Sequence, residues 1–107
     1  MKPASFAPVY VAIYPELAEV ARKHGYALAI HGSISRDFDL ICIPWIENPS
    51  VPESVVKDME KQFSISAAGM PTEHEHGRIV YSMCISFGDC FVDLSFMPTK
   101  EHQPCQK

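Results

Sequence analysis

The segment DFDLICIPW, residues 37–45, places two aspartates inside a run of apolar residues. Side chains along a β-strand alternate between the two faces of its sheet. A strand at this position therefore directs Asp37 and Asp39 to one face. Phe38 and Leu40 then point to the opposite face, into a core. The pattern predicts a sheet with one buried face and one face that carries carboxylates.

Two further segments have apolar residues at helical spacing, and several have the length and composition of strands. The predicted helices cover residues 14–25 and 51–63; Gly25 is suited to a left-handed end, and Ser50 and Glu53 have the spacing of a capping box. The predicted strands cover residues 26–33, 37–45, 78–87 and 90–98, with 63–68 as a further candidate. This order predicts an α+β (α/β two-layer) fold, in which a small mixed sheet of about four to five strands carries two main helices on one face.

The 107 residues fit one domain, residues 1–107, with short segments at its ends that add little to the core. Residues 1–9 contain two prolines and predict an N-terminal arm. Residues 98–107 are mostly polar and predict a flexible C-terminal tail. Gly88 and Asp89 lie between two apolar runs, a pattern typical of a hairpin turn.

The formal net charge is −4, which bears on possible partners. Extended contacts with a nucleic-acid backbone require positive charge, so this composition disfavours them, although a nucleotide bound through a metal ion stays open. The first residues lack the continuous apolar segment of a signal peptide or membrane span. We therefore expect a cytoplasmic protein without membrane association.

The cysteines and histidines give little support for a zinc site. No two cysteines have the spacing of a CxxC motif, and three lie in apolar runs, where cysteine acts as a small apolar side chain. We expect free thiols at Cys42, Cys84, Cys90 and Cys105. The segment TEHEHGR, residues 72–78, is more typical of a polar loop than of a metal site. If this loop reaches a substrate, His76 and Arg78 are the first candidates for contact.

A third aspartate, Asp93, lies within the last predicted strand. If that strand neighbours the strand of Asp37 and Asp39, three carboxylates converge on one face. Carboxylates that approach each other raise each other's pKa, so a fold gains no stability from gathering them. A divalent cation removes the repulsion, and Mg²⁺ prefers a few carboxylates together with substrate phosphates. The alternative is that the three are unrelated: a turn residue, a capping residue and a solvated side chain.

Gly32 and Ser33 follow the first predicted strand and precede the strand of the two aspartates. Glycine permits a close approach of the backbone, and a turn rich in N–H groups can hold a phosphate. A Gly-Ser pair alone is a weak indication. Its position between these two strands is what makes it a candidate phosphate-binding turn.

This succession resembles the nucleotidyltransferase fold of the DNA polymerase beta superfamily over residues 10–97: a strand that ends in Gly32-Ser33, an Asp-x-Asp strand, and a later aspartate in FVDLSF. The resemblance implies a Mg²⁺-dependent nucleotidyltransferase that moves a nucleoside monophosphate from a nucleoside triphosphate to a hydroxyl. It implies that Gly32 and Ser33 contact the triphosphate. It also implies that Asp37, Asp39 and Asp93 are catalytic and hold two magnesium ions, and that Asp93 helps to deprotonate the acceptor hydroxyl.

The link between Ser33 and Asp37 departs from that family, because only Ile34, Ser35 and Arg36 intervene. In the family a longer segment begins a helix that wraps the phosphates. Arg36 would compensate by contacting a phosphate, or would neutralise a neighbouring aspartate. The short link motivates an alternative function, a catalytically inactive nucleotidyltransferase-like module that regulates or inhibits a partner protein or binds a nucleotide.

Because the resemblance covers residues 10–97, we expect no separate acceptor-binding domain within these 107 residues. In the nucleotidyltransferase interpretation the acceptor is therefore part of a partner protein, or the chain assembles into a homo-oligomer. A third interpretation is a small structural protein whose aspartates are simply solvated.

Overall fold

The structure is a computed structural model that describes residues 7–35, 37–63, 65–67, 69–85 and 90–98, with only the backbone at His76. These residues form a small α+β domain in which a mixed six-stranded sheet packs against two helices. The predicted α+β class is confirmed, and the sheet has more strands than the sequence indicated.

Helix α1, Ala7–Lys23, starts earlier than the sequence pattern suggested. Its first residues overlap the segment predicted as an arm, because Tyr10 is fully buried and its ring stacks on Phe38 at a centroid distance of 4.8 Å. The helix is followed by Gly25 at φ +93°, which confirms the predicted left-handed end. A side chain at Gly25 would also collide with Ile46.

Helix α2, Pro52–Gln62, lies within its predicted range. The predicted capping box is wrong. The helix begins after Val51, which makes no side-chain cap, and Pro52 has no N–H group that needs a partner. The Ser50 hydroxyl is instead 2.8 Å from Nδ1 of His24, at the end of α1.

The sheet joins strands from both halves of the chain. The strands are β1 (Tyr26–His31), β2 (Asp37–Pro44), β3 (Ile65–Ala67), β4 (Thr72–Glu73), β5 (Ile79–Ile85) and β6 (Phe91–Phe96). Their order is β1-β2-β6-β5-β3, and β4 also pairs with β5. The β2–β6 pair is parallel and the other pairs are antiparallel. Residues 88–89, predicted as the β5–β6 turn, lie outside the described residues.

The core lies on one face of this sheet, beneath both helices. Alternate strand residues such as Phe38, Leu40 and Leu94 are fully buried there. They pack against side chains from α1 and α2, including Leu17 and Met59, in a single apolar cluster. Both α1 and α2 pack on the core face, and the side chains between these core residues point to the other face of the sheet.

Two expectations about the chain as a whole can be compared with the described residues. Cys42 and Cys90 are buried free thiols, and the Cys84 thiol donates a hydrogen bond of 3.4 Å to the Ile85 carbonyl, whereas Cys105 lies outside the described residues. Neither α1 nor α2 has the length and apolar character that a membrane crossing requires.

Candidate functional site

A row of polar side chains crosses the face of the sheet opposite α1 and α2. Asp39 on β2 lies opposite Asp93 on β6, and these two strands are parallel neighbours. His31 on β1 extends the row on one side and Ser82 on β5 on the other, at matching register positions. We call these four residues the acidic row. It brings together two of the three aspartates predicted from the sequence.

Each carboxylate of the acidic row is affected by its neighbours. Partial burial raises the pKa of Asp39, and the negative charges of Asp93 and Asp37 raise it further, while the nearby His31 opposes the shift. Asp93 Oδ1 accepts a hydrogen bond of 2.9 Å from the Ser82 hydroxyl. The row therefore holds close negative charge whose repulsion a bound cation would relieve.

Asp37 lies on the same face as Asp39 but at the start of β2, where its register partner is Phe91. Its side chain is exposed, and its charge adds to the raised pKa of Asp39. Within the described part of the chain, no three or more His, Cys, Asp or Glu side chains form a preassembled metal-binding group. The acidic row can thus supply only some of the ligands of a metal ion. Proteins commonly bind Mg²⁺ in this way, because phosphate and water oxygens supply the remaining ligands.

Gly32 brings the β1–β2 connection against the acidic row. Its φ is +72°, and a Cβ atom at this position would lie 3.0 Å from Asp39 Oδ2. Both observations explain why glycine is needed here. Ser33 is exposed, and its Oγ lies 2.9 Å from the Ser35 hydroxyl and 3.3 Å from the Ser35 backbone N–H. Arg36, the third predicted nucleotide-binding residue, lies outside the described residues.

Ser95 and Arg78 lie next to the acidic row. Ser95 is two residues beyond Asp93 on the same face, yet it is only 3% exposed. Arg78 Nη1 donates a hydrogen bond of 3.1 Å to its hydroxyl. The sequence suggested Arg78 as a substrate contact but did not single out Ser95, although its strand alternation with Asp93 was the available indication.

A second polar cluster, unnoticed in the sequence, joins the two helices on the other side of the molecule. His24 Nδ1 lies 2.8 Å from the Ser50 hydroxyl, and His24 Nε2 lies 3.0 Å from Asp58 Oδ2. The Ser50 carbonyl accepts a hydrogen bond from Tyr26, and the Ser50 N–H donates to the His24 carbonyl. The hydroxyl, carbonyl and N–H groups of Ser50 are thus all hydrogen-bonded, and His24 connects the end of α1 to α2 through Asp58.

Comparisons with protein-family models, with curated protein sequences and with solved structures give no match to this chain. The geometry of the acidic row and of Gly32 is therefore the observation that bears most directly on function.

Proposed function

We propose that the protein is a Mg²⁺-dependent nucleotidyltransferase, which moves a nucleoside monophosphate from a nucleoside triphosphate to a hydroxyl. One observation carries the proposal. Asp39 and Asp93 face each other across two parallel strands, and Gly32 lies so close to Asp39 that a Cβ atom there would be 3.0 Å from Asp39 Oδ2. A carboxylate pair beside a tight glycine turn suits a metal–phosphate complex.

The electrostatics of the pair support a cation at this position. Burial and the charge of Asp93 both raise the pKa of Asp39, so the ionised pair carries an unfavourable interaction in the absence of a cation. Asp39 and Asp93 would be the principal Mg²⁺ ligands, with Asp37 as a third from the edge of the site. When bound, two magnesium ions would supply charge neutralisation for the phosphates.

The reaction would proceed by in-line substitution at the α-phosphorus. The acceptor hydroxyl oxygen forms a new bond to the α-phosphorus, and the bond from this phosphorus to the α,β-bridging oxygen breaks. The electron pair of that bond leaves with pyrophosphate. The hydroxyl proton passes to Asp93, whose Oδ1 is oriented by Ser82. Gly32 and Ser33 would contact the phosphates, together with Arg36.

The acceptor would be a hydroxyl of a partner protein or of a second copy of this chain. Among the described residues, α1 and α2 both lie on the face opposite the acidic row, so a large acceptor can approach the row. A nucleic-acid acceptor is less favoured, because the net charge of −4 opposes extended backbone contacts.

Incubation with each of the four α-³²P-labelled nucleoside triphosphates, Mg²⁺ and candidate acceptor proteins tests the proposal. We expect Mg²⁺-dependent label transfer with release of pyrophosphate. Asp39→Asn and Asp93→Asn should each lower the transfer rate by at least about 100-fold. Glu47→Gln, an exposed carboxylate in the loop after β2, serves as the matched control and should retain the rate. Transfer that survives both aspartate substitutions would exclude this mechanism.

A second function, binding without catalysis, is favoured by the short β1–β2 connection. Only residues 32–36 join His31 to Asp37, and the described residues 32–35 are not helical. The chain then offers fewer backbone N–H groups to a triphosphate than a helix-containing link would. For such a module, a nucleotide or partner protein should bind wild-type and Asp39→Asn chains with similar affinity, and no label should be transferred.

A further inference from the structure

An apolar cavity of about 440 Å³ opens close to the acidic row. It is lined by Ile41, Ile43, Pro44, Met97 and Pro98. Ile41 and Ile43 follow Asp39 at alternate positions of β2 and so share its face. With a rise of about 3.3 Å per residue, Ile43 lies roughly 13 Å along the strand from Asp39. The cavity and the row are therefore parts of one continuous surface.

Arg78 contacts the sheet face at the register position of Ile41, where the cavity begins. It contacts Ser95, whose register partner on β2 is Ile41, the cavity residue nearest Asp39. Arg78 is half-buried, and within the described residues its guanidinium forms no ion pair. A guanidinium has five N–H donors, so the bond to Ser95 leaves most of them available for an anion. Along β2 and β6 the surface thus presents a glycine turn, then carboxylates, and then a guanidinium beside an apolar cavity.

We infer that a nucleoside triphosphate lies along this surface, with its base over the apolar cavity and its α-phosphate and ribose beside Arg78. The inference rests on the proposed function and specifies its substrate. The order of chemical groups on the surface matches the order along a nucleotide. The outer phosphates lie toward Gly32, the α-phosphate between the acidic row and Arg78, and the base over Ile43. Arg78 is then a binding residue that positions the phosphate.

The lining of the cavity predicts little discrimination between bases. The side chains that line it are all apolar, so they offer no hydrogen bond to the edge of a base. Contact with the face of a base is tolerant of its identity, because every base has an apolar face. In this placement the protein accepts all four nucleoside triphosphates with similar affinity.

Calorimetric titration of the full chain with Mg²⁺ complexes of ATP, GTP, CTP and UTP tests the placement, and inorganic tripolyphosphate serves as a probe without a base. Ile43→Ser should raise each nucleotide Kd about tenfold and leave tripolyphosphate binding unchanged. Arg78→Gln should weaken all five probes by about tenfold. Ile43 is 43% exposed, and Ile30, which is 42% exposed and on a different strand, provides the matched control Ile30→Ser. Arg22→Gln is the control for loss of an arginine.

The outcomes separate this placement from the proposed function. Nucleotide binding that Ile43→Ser and Arg78→Gln leave unchanged overturns the placement, and so does a preference of more than about 100-fold for one base. Binding that needs Ile43 but neither Mg²⁺ nor Asp39 overturns the metal-dependent function and leaves the placement intact. If the folded wild-type chain binds none of the four nucleotides, both are overturned.

Discussion

Asp39 and Asp93 lie directly opposite each other on β2 and β6, the only parallel strand pair among the described residues of the sheet. The pairing places two carboxylates next to each other on the face opposite α1 and α2. Partial burial raises the pKa of Asp39, and the neighbouring charge of Asp93 raises it further. Without a cation, the repulsion between the two carboxylates lowers the stability of the fold. The effect of the pair can therefore be measured by denaturation, even though the acceptor is not known.

Asp39→Asn should stabilise the metal-free protein and abolish its response to magnesium. Removal of one charge relieves repulsion, and because solvent screens this partly exposed pair, we expect Tm to rise by only about 1–4 °C in EDTA. Addition of Mg²⁺ should raise the Tm of the wild type but not of the variant. Thermal denaturation followed by circular dichroism measures both effects, with Glu47→Gln as the control. An equal Mg²⁺ response in both proteins would argue against ligation by Asp39.

Gly32→Ala should disturb the acidic row as well as the backbone. Gly32 and Gly69 both have positive φ, at +72° and +79°, but a Cβ atom at Gly69 meets no heavy atom within 4 Å. Each alanine substitution should cost about 1–2 kcal/mol of unfolding free energy in urea denaturation. Only Gly32→Ala should also weaken the Mg²⁺-induced rise in Tm, because its methyl group displaces Asp39. Equal Mg²⁺ responses in the two variants would show that this contact is unimportant.

Phe38→Ala should be among the most destabilising single substitutions. Phe38 lies between Asp37 and Asp39 in the sequence of β2, but its side chain points to the opposite face and is fully buried. Its ring contacts Tyr10 and Tyr14 of α1. Loss of the ring should lower the unfolding free energy by about 3–5 kcal/mol. Phe91 lies on the opposite face and is 37% exposed, so Phe91→Ala should cost less than about 1 kcal/mol. Urea denaturation of both variants gives the comparison, and similar losses would contradict the assignment of faces.

Asp58→Asn should lower Tm at neutral pH. The fall of Tm toward acid pH should be smaller in this variant than in the wild type. Hydrogen bonds from Gln62 and His24 hold the pKa of Asp58 below its usual value. A carboxyl whose pKa is lower in the folded state stabilises the protein above its unfolded pKa, about 3.9, and loses that contribution as pH falls through the folded value. Tm measured from pH 7 to pH 2 should therefore converge for wild type and variant at the acid end. Glu47→Gln should follow the wild-type curve, and a constant Tm difference at every pH would contradict the linkage.

Local patterns in the sequence were sufficient for several elements because they follow from short-range geometry. The alternation around Phe38 identified the buried and exposed faces of β2, since strand side chains alternate whatever their neighbours are. The apolar stripe of α2 likewise identified that helix, and Gly25 the end of the first. The same alternation placed Asp37, Asp39 and Asp93 on one face of the sheet, provided that their strands were adjacent.

Long-range packing decided the remaining features. The adjacency of β2 and β6, and hence the contact of Asp39 with Asp93, depends on strand order, which no local pattern contains. Ser50 had the spacing of a helix cap, but tertiary structure places its hydroxyl beside His24. Which side chains share a face follows from the alternation along each strand and could be predicted locally. Which faces and strands meet depends on tertiary packing, because those contacts join residues far apart in the chain.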